Sequence, residues 1–561
     1  MKIILIGDCL KKLTSTALVV ALFLLSVGVG SAEVIYVEPG DSIQAAVNNS
    51  TGGDFIVVKA GDYQENVIVN VPGITVTSEP ESSDGVLIKA RDENSSVFHL
   101  TADNVTIRGF NITGSGEVFS ARKASGVNSY GSGSYSNEPE VRQAYGSGSE
   151  IFISRWDGTG CPQGGICLEK ANNCTIERNN IFENRYGVYL QDSRNSTISN
   201  NTLFRNGIWV DEGCSQNLLI NNKIEEGYIT LGAQCWNNIM LQNTLSNGGG
   251  ISIACCGGNN VVSTNEIINC STGVDIYDVQ AKTVLSENRI TDCDYGIYLT
   301  FVFGSRVHDN IISNSNKGII LKENCHDNEL ANNTIISCNE SGIYLLDSSA
   351  NNRIYNNYLN NTVNVTVEGT EGNIWNNTKT SGKNIVEGPY LGGNFWANLN
   401  GTGFSQTSND SDSDGICDLP YKINGSDFDY LPLSELPEMP KMDLTVSIEI
   451  PEGKEKVEVS IEIDKNTFDF GTLLPGELSN SHVLNIKNTG KSDVNISAEF
   501  RDSSDAAFFE GLYLSSAFWP EFSEMIANNN SKEVEIVLKV PMNYSENGTK
   551  KGTLIFRAEK A

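Results

Sequence analysis

Gly296-Ile-Tyr-Leu299 is one copy of a phrase that recurs through the middle of the chain. It returns as Gly187-Val-Tyr-Leu190, Gly207-Ile-Trp-Val210, Gly273-Val-Asp-Ile276, Gly318-Ile-Ile-Leu321 and Gly342-Ile-Tyr-Leu345, with weaker copies opening at Gly165, Gly227 and Gly250. A second phrase, Asn-x-Ile or Asn-x-Leu, keeps the same beat at Ile181, Leu203, Ile224, Leu245, Ile267, Ile290, Ile311, Ile335 and Leu359. Two markers sharing a period of about 22 residues define a solenoid. Apolar residues alternate within each phrase, which is strand periodicity. No helix-length apolar pattern fits between phrases, so a βα repeat is excluded. About 22 residues suffice for a coil of three short strands, each stacking at roughly 4.8 Å on the next. Asn suits the turns because it tolerates left-handed backbone, and stacked Asn amides can form ladders. The expected fold is all-β: a right-handed parallel β-helix.

Around this core the chain divides into seven parts. Residues 1–32 read as a signal peptide: Lys2, Lys11 and Lys12, an apolar run from Leu13 to Val29, then Gly30-Ser31-Ala32. An uncleaved anchor is the alternative, although the run is short for a span. Residues 33–114 hold a cap and the first coils. Ser42 is placed to cap a helix, Ile43-Gln-Ala-Ala-Val47, that covers the open end of the core. Residues 115–164 break the beat with a Gly/Ser/Tyr-rich insertion containing Arg122, Lys123, Arg142 and Arg155, read as a loop or a flap over the helix side. Coils resume over 165–395. A tail with an acidic loop spans 396–435, a Pro-marked linker spans 436–442, and alternating strands over 443–561 suggest an immunoglobulin-like β-sandwich.

A formal charge of −30 argues against nucleic acid or an anionic membrane as partner. No second apolar segment follows the signal, so a secreted or cell-surface protein without a transmembrane segment is expected. Sequons at Asn104, Asn111, Asn173, Asn195, Asn364, Asn400, Asn495, Asn543 and Asn547 fit export. Cys270 and Cys293 share a phase, as do Cys214, Cys235 and Cys255 or Cys256. Coil-to-coil disulfides and a column of buried thiols are both open.

The residue two after each repeat glycine should point outward: Cys167, Tyr189, Trp209, Ile229, Ser252, Asp275, Tyr298, Ile320 and Tyr344. Exposed rings stacked on one face would make a platform for sugars. Tyr189, Trp209, Tyr298 and Tyr344 are therefore the candidate carbohydrate-binding rings, with Asp192 and Asp347 beside them. Equally, Tyr and Trp simply favour strands. Carboxylates follow five after the glycines, at Asp192, Glu212, Asp278, Glu323 and Asp347. Asp275, Asp278 and Asp294 are the weak catalytic candidates, since glycoside hydrolysis needs two flanking carboxylates. Solvated turn residues account for the same pattern. The run Asp410-Ser-Asp412-Ser-Asp414-Gly-Ile416-Cys-Asp418 matches the first nine positions of an EF-hand-type loop. A structural Ca²⁺ held by Asp410, Asp412, Asp414, the Ile416 carbonyl and Asp418 is expected.

Ser42-Ile-Gln-Ala-Ala-Val47, the Gly-Ile-Tyr-Leu coils and the tail Gly393-Asn-Phe-Trp396…Asp412-Ser-Asp-Gly-Ile-Cys-Asp418…Pro420-Tyr421 together resemble the NosD-like family of exported β-helix proteins with CASH-type repeats. The resemblance covers residues 34–433. It implies the fold and, by the family's name, copper delivery to an oxidoreductase. Copper is not expected from the residues themselves: His308 and His326 are out of phase, and the six Met do not cluster. Three functions follow. The first is an exported surface protein that binds polysaccharide without catalysis and meets other surface proteins through its C-terminal domain. The second is a polysaccharide hydrolase or lyase, and the third a copper-processing accessory protein.

Overall fold

The computed structural model describes residues 32–79, 85–116, 142–144, 151–153, 161–254, 256–279, 282–435, 441–449, 458–473, 476–500, 505–541, 544 and 548–561. The signal segment, apart from Ala32, and most of the Gly/Ser-rich insertion, including Arg122, Lys123 and Arg155, lie outside the described residues. Two compact units divide at Ser434.

The first unit is a parallel β-helix. Three sheets of thirteen, twelve and thirteen parallel strands run along its length. Each coil contributes one strand to each sheet, and successive coils pair in register, as Val188, Ile208 and Ile229 do. Inward side chains from all three sheets form one continuous core in which Ile166, Val188, Ile297, Leu299, Ile319 and Leu345 are fully buried. In the coil that opens at Gly227 the register slips by one. Ile229 points inward beside Ile208, and Thr230 takes the outward place beside Trp209. The second marker keeps its register at Asn310-Ile311-Ile312, where the in-phase and buried residue is Ile312, paired with Ile290 and Ile335, and not Ile311, which lies on the surface.

Turn residues explain the second phrase. Asn179, Asn201, Asn222, Asn243, Asn265, Asn288, Asn310, Asn333 and Asn357 form a buried ladder, each side-chain amide donating to the next Asn Oδ1 at 2.9–3.1 Å. The last rung, Asn394, meets Asp429, whose Oδ2 accepts from the Asn394 N–H at 2.7 Å and from Trp396 Nε1 at 2.9 Å. All these amide dipoles point the same way, so the ladder's donor end finishes at a carboxyl group. Burial pushes Asp429 up to about 7 against those donors.

The repeat glycines are there for space. A methyl at Gly296 would lie 2.4 Å from the Gly318 carbonyl and 2.6 Å from Ile312 Cγ2, so only glycine lets the coils approach at strand spacing.

At the N-terminal end, Ile43–Asn49 is the expected helix, with Ser42 Oγ accepting from the Ala45 N–H at 3.2 Å. Ile43 and Val47 close the core. Gln44 blunts the sheet edge: its Nε2 donates to the Ile68 carbonyl at 3.0 Å and its Oε1 accepts the Ile68 N–H at 2.7 Å. An edge strand that would otherwise template aggregation is thereby paired by a side chain. At the other end the strand Phe395–Ala397 pairs with Tyr358–Asn360, and Trp375 and Trp396 fill the closing core.

The second unit packs two five-stranded sheets around one core that includes Leu444, Phe556, Leu484 and Ile536. It has the expected sandwich layering. No helix among the described residues is long and apolar enough to cross a membrane.

Candidate functional site

The outer face of the twelve-stranded sheet carries the proposed ring column. Register places Ile68, His99, Cys167, Tyr189, Trp209, Thr230, Ser252, Asp275, Tyr298, Ile320, Tyr344 and Thr366 in one file. The residues point outward as expected, except Ile229. They are not an exposed platform. Tyr189 and Trp209 are only 5% exposed and Tyr298 9%. Tyr186 packs 5.3 Å from Tyr189 and 5.7 Å from Trp209, and Tyr228 closes the far edge at 6.0 Å. The rings therefore bury one another, because large side chains at strand spacing stack from coil to coil. Tyr344 is half-buried, with the Lys317 ammonium 4.9 Å from its centroid.

The strand-exit carboxylates occupy left-handed turns. Asp192, Glu212, Asp278, Glu323 and Asp347 all have φ between 46° and 54°. A tight turn in a fixed coil length explains their position without catalysis. Asp192 pairs with Arg194 at 3.7 Å, and Glu323 pairs with Lys322 at 2.9 Å. Asp275 differs. It is buried in the outward file, its Oδ1 has no hydrogen-bond partner, and burial pushes its carboxyl up to about 7. Asp278 sits three residues on, in the turn. Asp294 lies just before the next coil's strand, where Asn316 donates to it at 3.4 Å.

A partly exposed aromatic strip runs beside them, which the sequence reading passed over. Tyr277 and Phe301 meet edge-to-face at 6.2 Å, and Phe303 stacks on His326 at 4.2 Å. All four are half-buried and come from three successive coils. Asp278 and Glu323 flank them. Phe301, itself at φ 53°, stands where the neighbouring coils place a carboxylate, and that substitution was the one available signal.

In the acidic loop, Asp410, Asp412 and Asp418 bring one carboxylate oxygen each within 4.8 Å of the others. Asp414 is not part of this group. Its Oδ1 accepts the Ile416 N–H at 2.8 Å, and its other oxygen pairs with Lys379. These are three hard oxygen donors, fewer than the five that the loop pattern implied.

Cys214, Cys235, Cys270 and Cys293 are buried thiols outside any disulfide, and burial pushes Cys214 up to about 12. Cys256 is exposed, and Cys255 lies outside the described residues. Among the described residues one disulfide joins Cys161 to Cys167. Among the sequons, Asn364 is already engaged: its amide donates to the Ala397 carbonyl at 2.6 Å and its Oδ1 accepts from the Asn361 N–H. Asn543 and Asn547 lie outside the described residues.

Residues 213–401 match the family described as periplasmic copper-binding protein (NosD), and residues 82–278 match the right handed beta helix region. A cell surface glycoprotein of Methanothermus fervidus is 25% identical over 427 residues, covering 69% of this chain. The chain spans 57% of that relative's length. Similar solved structures include an alginate lyase from Paenibacillus sp. str. FPU-7 (15% identity, 50% of this chain and 94% of that one, TM-score 0.36). The catalytic domain of an alpha-1,3-glucanase is similar at 15% identity, 62% and 70% coverage and TM-score 0.44. Likenesses of that size carry nothing about activity. Nor do the residues within 213–401 fit copper. His308 and His326 each bond the neighbouring Asp, at 2.7 and 2.8 Å, and Met240 is fully buried. Among the described residues of that span, no three His, Cys, Asp or Glu ligand atoms converge.

Proposed function

For a chain that belongs to the NosD-like right-handed β-helix proteins, we propose export to the cell surface and non-catalytic binding of a polysaccharide along the helix side. The carrying observation is the strip Tyr277, Phe301, Phe303 and His326. Half-exposed rings on three successive coils offer stacking faces to consecutive sugars, and Asp278 and Glu323 can accept sugar hydroxyls. The strip replaces the buried Tyr189–Trp209–Tyr298 file as the contact surface. Export rests on the signal-like segment and on the surface-glycoprotein relative. A Ca²⁺ at Asp410, Asp412 and Asp418 would hold the tail against the last coils, and the C-terminal sandwich would meet other surface proteins.

A hydrolase or lyase is the second reading, favoured by Asp275, a carboxyl held protonated near neutrality by burial. One experiment separates the two. The purified chain is offered a polysaccharide panel while retention and the release of reducing ends or unsaturated sugars are followed. Retention without release, lost in Tyr277→Ala/Phe303→Ala, supports the binding reading. Release abolished by Asp275→Asn would replace it with the enzyme.

A further inference from the structure

Above the first coils, one group of side chains has a chemistry that carbohydrate binding does not use. His99 and Cys167 are direct neighbours on paired strands, Phe98–Leu100 and Gly164–Glu169. Glu169 follows Cys167 by two, on the same outward face. Cys161 comes from the segment just before that strand and bonds Cys167, with their Cα atoms 6.0 Å apart. His99 Nε2 lies 3.0 Å from Glu169 Oε2, and both lie within 4.8 Å of Cys161 Sγ. Two sulfurs, an imidazole nitrogen and a carboxylate oxygen thus converge on one spot.

We propose that the Cys161–Cys167 disulfide masks a zinc site, which opens on reduction with Cys161, Cys167, His99 and Glu169 as its ligands. A dithiol supplies the two electrons and two protons that split the S–S bond into two thiols, and it becomes a cyclic disulfide. Zn²⁺ then displaces one proton from each thiol to solvent, while Glu169 exchanges its hydrogen bond to His99 for the metal. The donor set numbers four and mixes sulfur, nitrogen and oxygen, as Zn²⁺ accepts. A carboxylate as fourth ligand disfavours Cu(I), which selects thiolate and thioether. With Zn–S near 2.3 Å, the two sulfurs need to part to about 3.8 Å, well inside the reach of their Cα separation. The sheet register holds three of the four ligands whether or not metal is bound. Unlike the buried coil thiols, all of His99, Cys161 and Glu169 are partly accessible.

The test reduces the full-length chain with a dithiol in the absence of oxygen, removes the dithiol and titrates Zn²⁺, with Co²⁺ as the spectroscopic probe. The background is Cys256→Ser, because that exposed thiol could bind on its own. The expected result is one tight equivalent, a thiolate-to-cobalt absorption band, and no such binding by the oxidised chain. Cys161→Ser should weaken binding about 100-fold, and Glu169→Gln about 10-fold while keeping the thiolate band. Circular dichroism of Glu169→Gln guards against loss of fold. Absence of the band in the reduced chain, or an undiminished band in Cys161→Ser, overturns the proposal. Equal binding by oxidised and reduced chain also overturns it, because the metal would then sit elsewhere.

Discussion

Two adjacent asparagines in one turn, Asn221 and Asn222, should respond very unequally to truncation. Asn221 is exposed at φ 56°, and its role is conformational. Asn already carries a Cβ in this left-handed backbone, so Ala loses only the local polar support that lets Asn adopt it, at most about 1 kcal/mol. Asn222 is a rung. Its Oδ1 accepts from the Asn201 N–H at 3.1 Å and from the Asn201 amide at 3.0 Å, and its own amide donates to the Ile198 carbonyl at 2.8 Å. Asn222→Ala leaves two buried donors of Asn201 without partners, whereas Asn243 Oδ1 keeps the Asn222 N–H at 3.0 Å. At about 2 kcal/mol for each orphaned buried donor, the loss is about 4 kcal/mol. The neighbouring coils feel it directly, since a solenoid's stability is a sum over units and their interfaces. Urea unfolding of both variants, followed by circular dichroism of the full chain, measures the gap. An Asn222→Ala loss no larger than that of Asn221→Ala would refute the ladder as a source of stability.

Other consequences can be tested alongside. Asp275 titrates near 7 when folded and near 3.8 otherwise. The folded state therefore binds the extra proton, and stability should be highest below about pH 4 and fall as pH rises toward 7, by at most about 4 kcal/mol. Asp275→Asn should be more stable than wild type at pH 8 and equal to it at pH 4, leaving a residual slope from Asp429; thermal unfolding across pH checks the sign. Gly296→Ala should cost about 3 kcal/mol through its clash with the next coil, whereas Gly369→Ala, with open space around it, should cost about 1 kcal/mol through its φ of 63°. Chelator should lower the melting temperature of wild type and leave Asp410→Ala/Asp412→Ala unchanged, if calcium holds the acidic loop. Retention of polysaccharide should survive Tyr189→Phe and fail in Tyr277→Ala/Phe303→Ala, measured on the same column.

The fold was legible because its causes are local and repeated. Gly296, Ile297 and Leu299 restate a coil already specified by Gly273, Val274 and Ile276, so spacing and alternation alone determined a parallel β-helix with Asn turns and a Ser42-capped end. Ile229 marks a slip of one residue within a correct coil, and at Asn310 the in-phase residue is Ile312, beside the expected Ile311. The candidate site was not legible in the same way. That Tyr189 and Trp209 point outward follows from alternation, but their burial depends on Tyr186 and Tyr228, and exposure is a property of neighbours. The acidic loop kept three of its expected carboxylates together and lost Asp414 to Lys379, 35 residues away. His99 and Glu169 are 70 residues apart across the long insertion, and only the pairing of two strands joins them. Repetition makes strand order and core readable from the chain, whereas side chains from distant coils meet only once the coils have stacked.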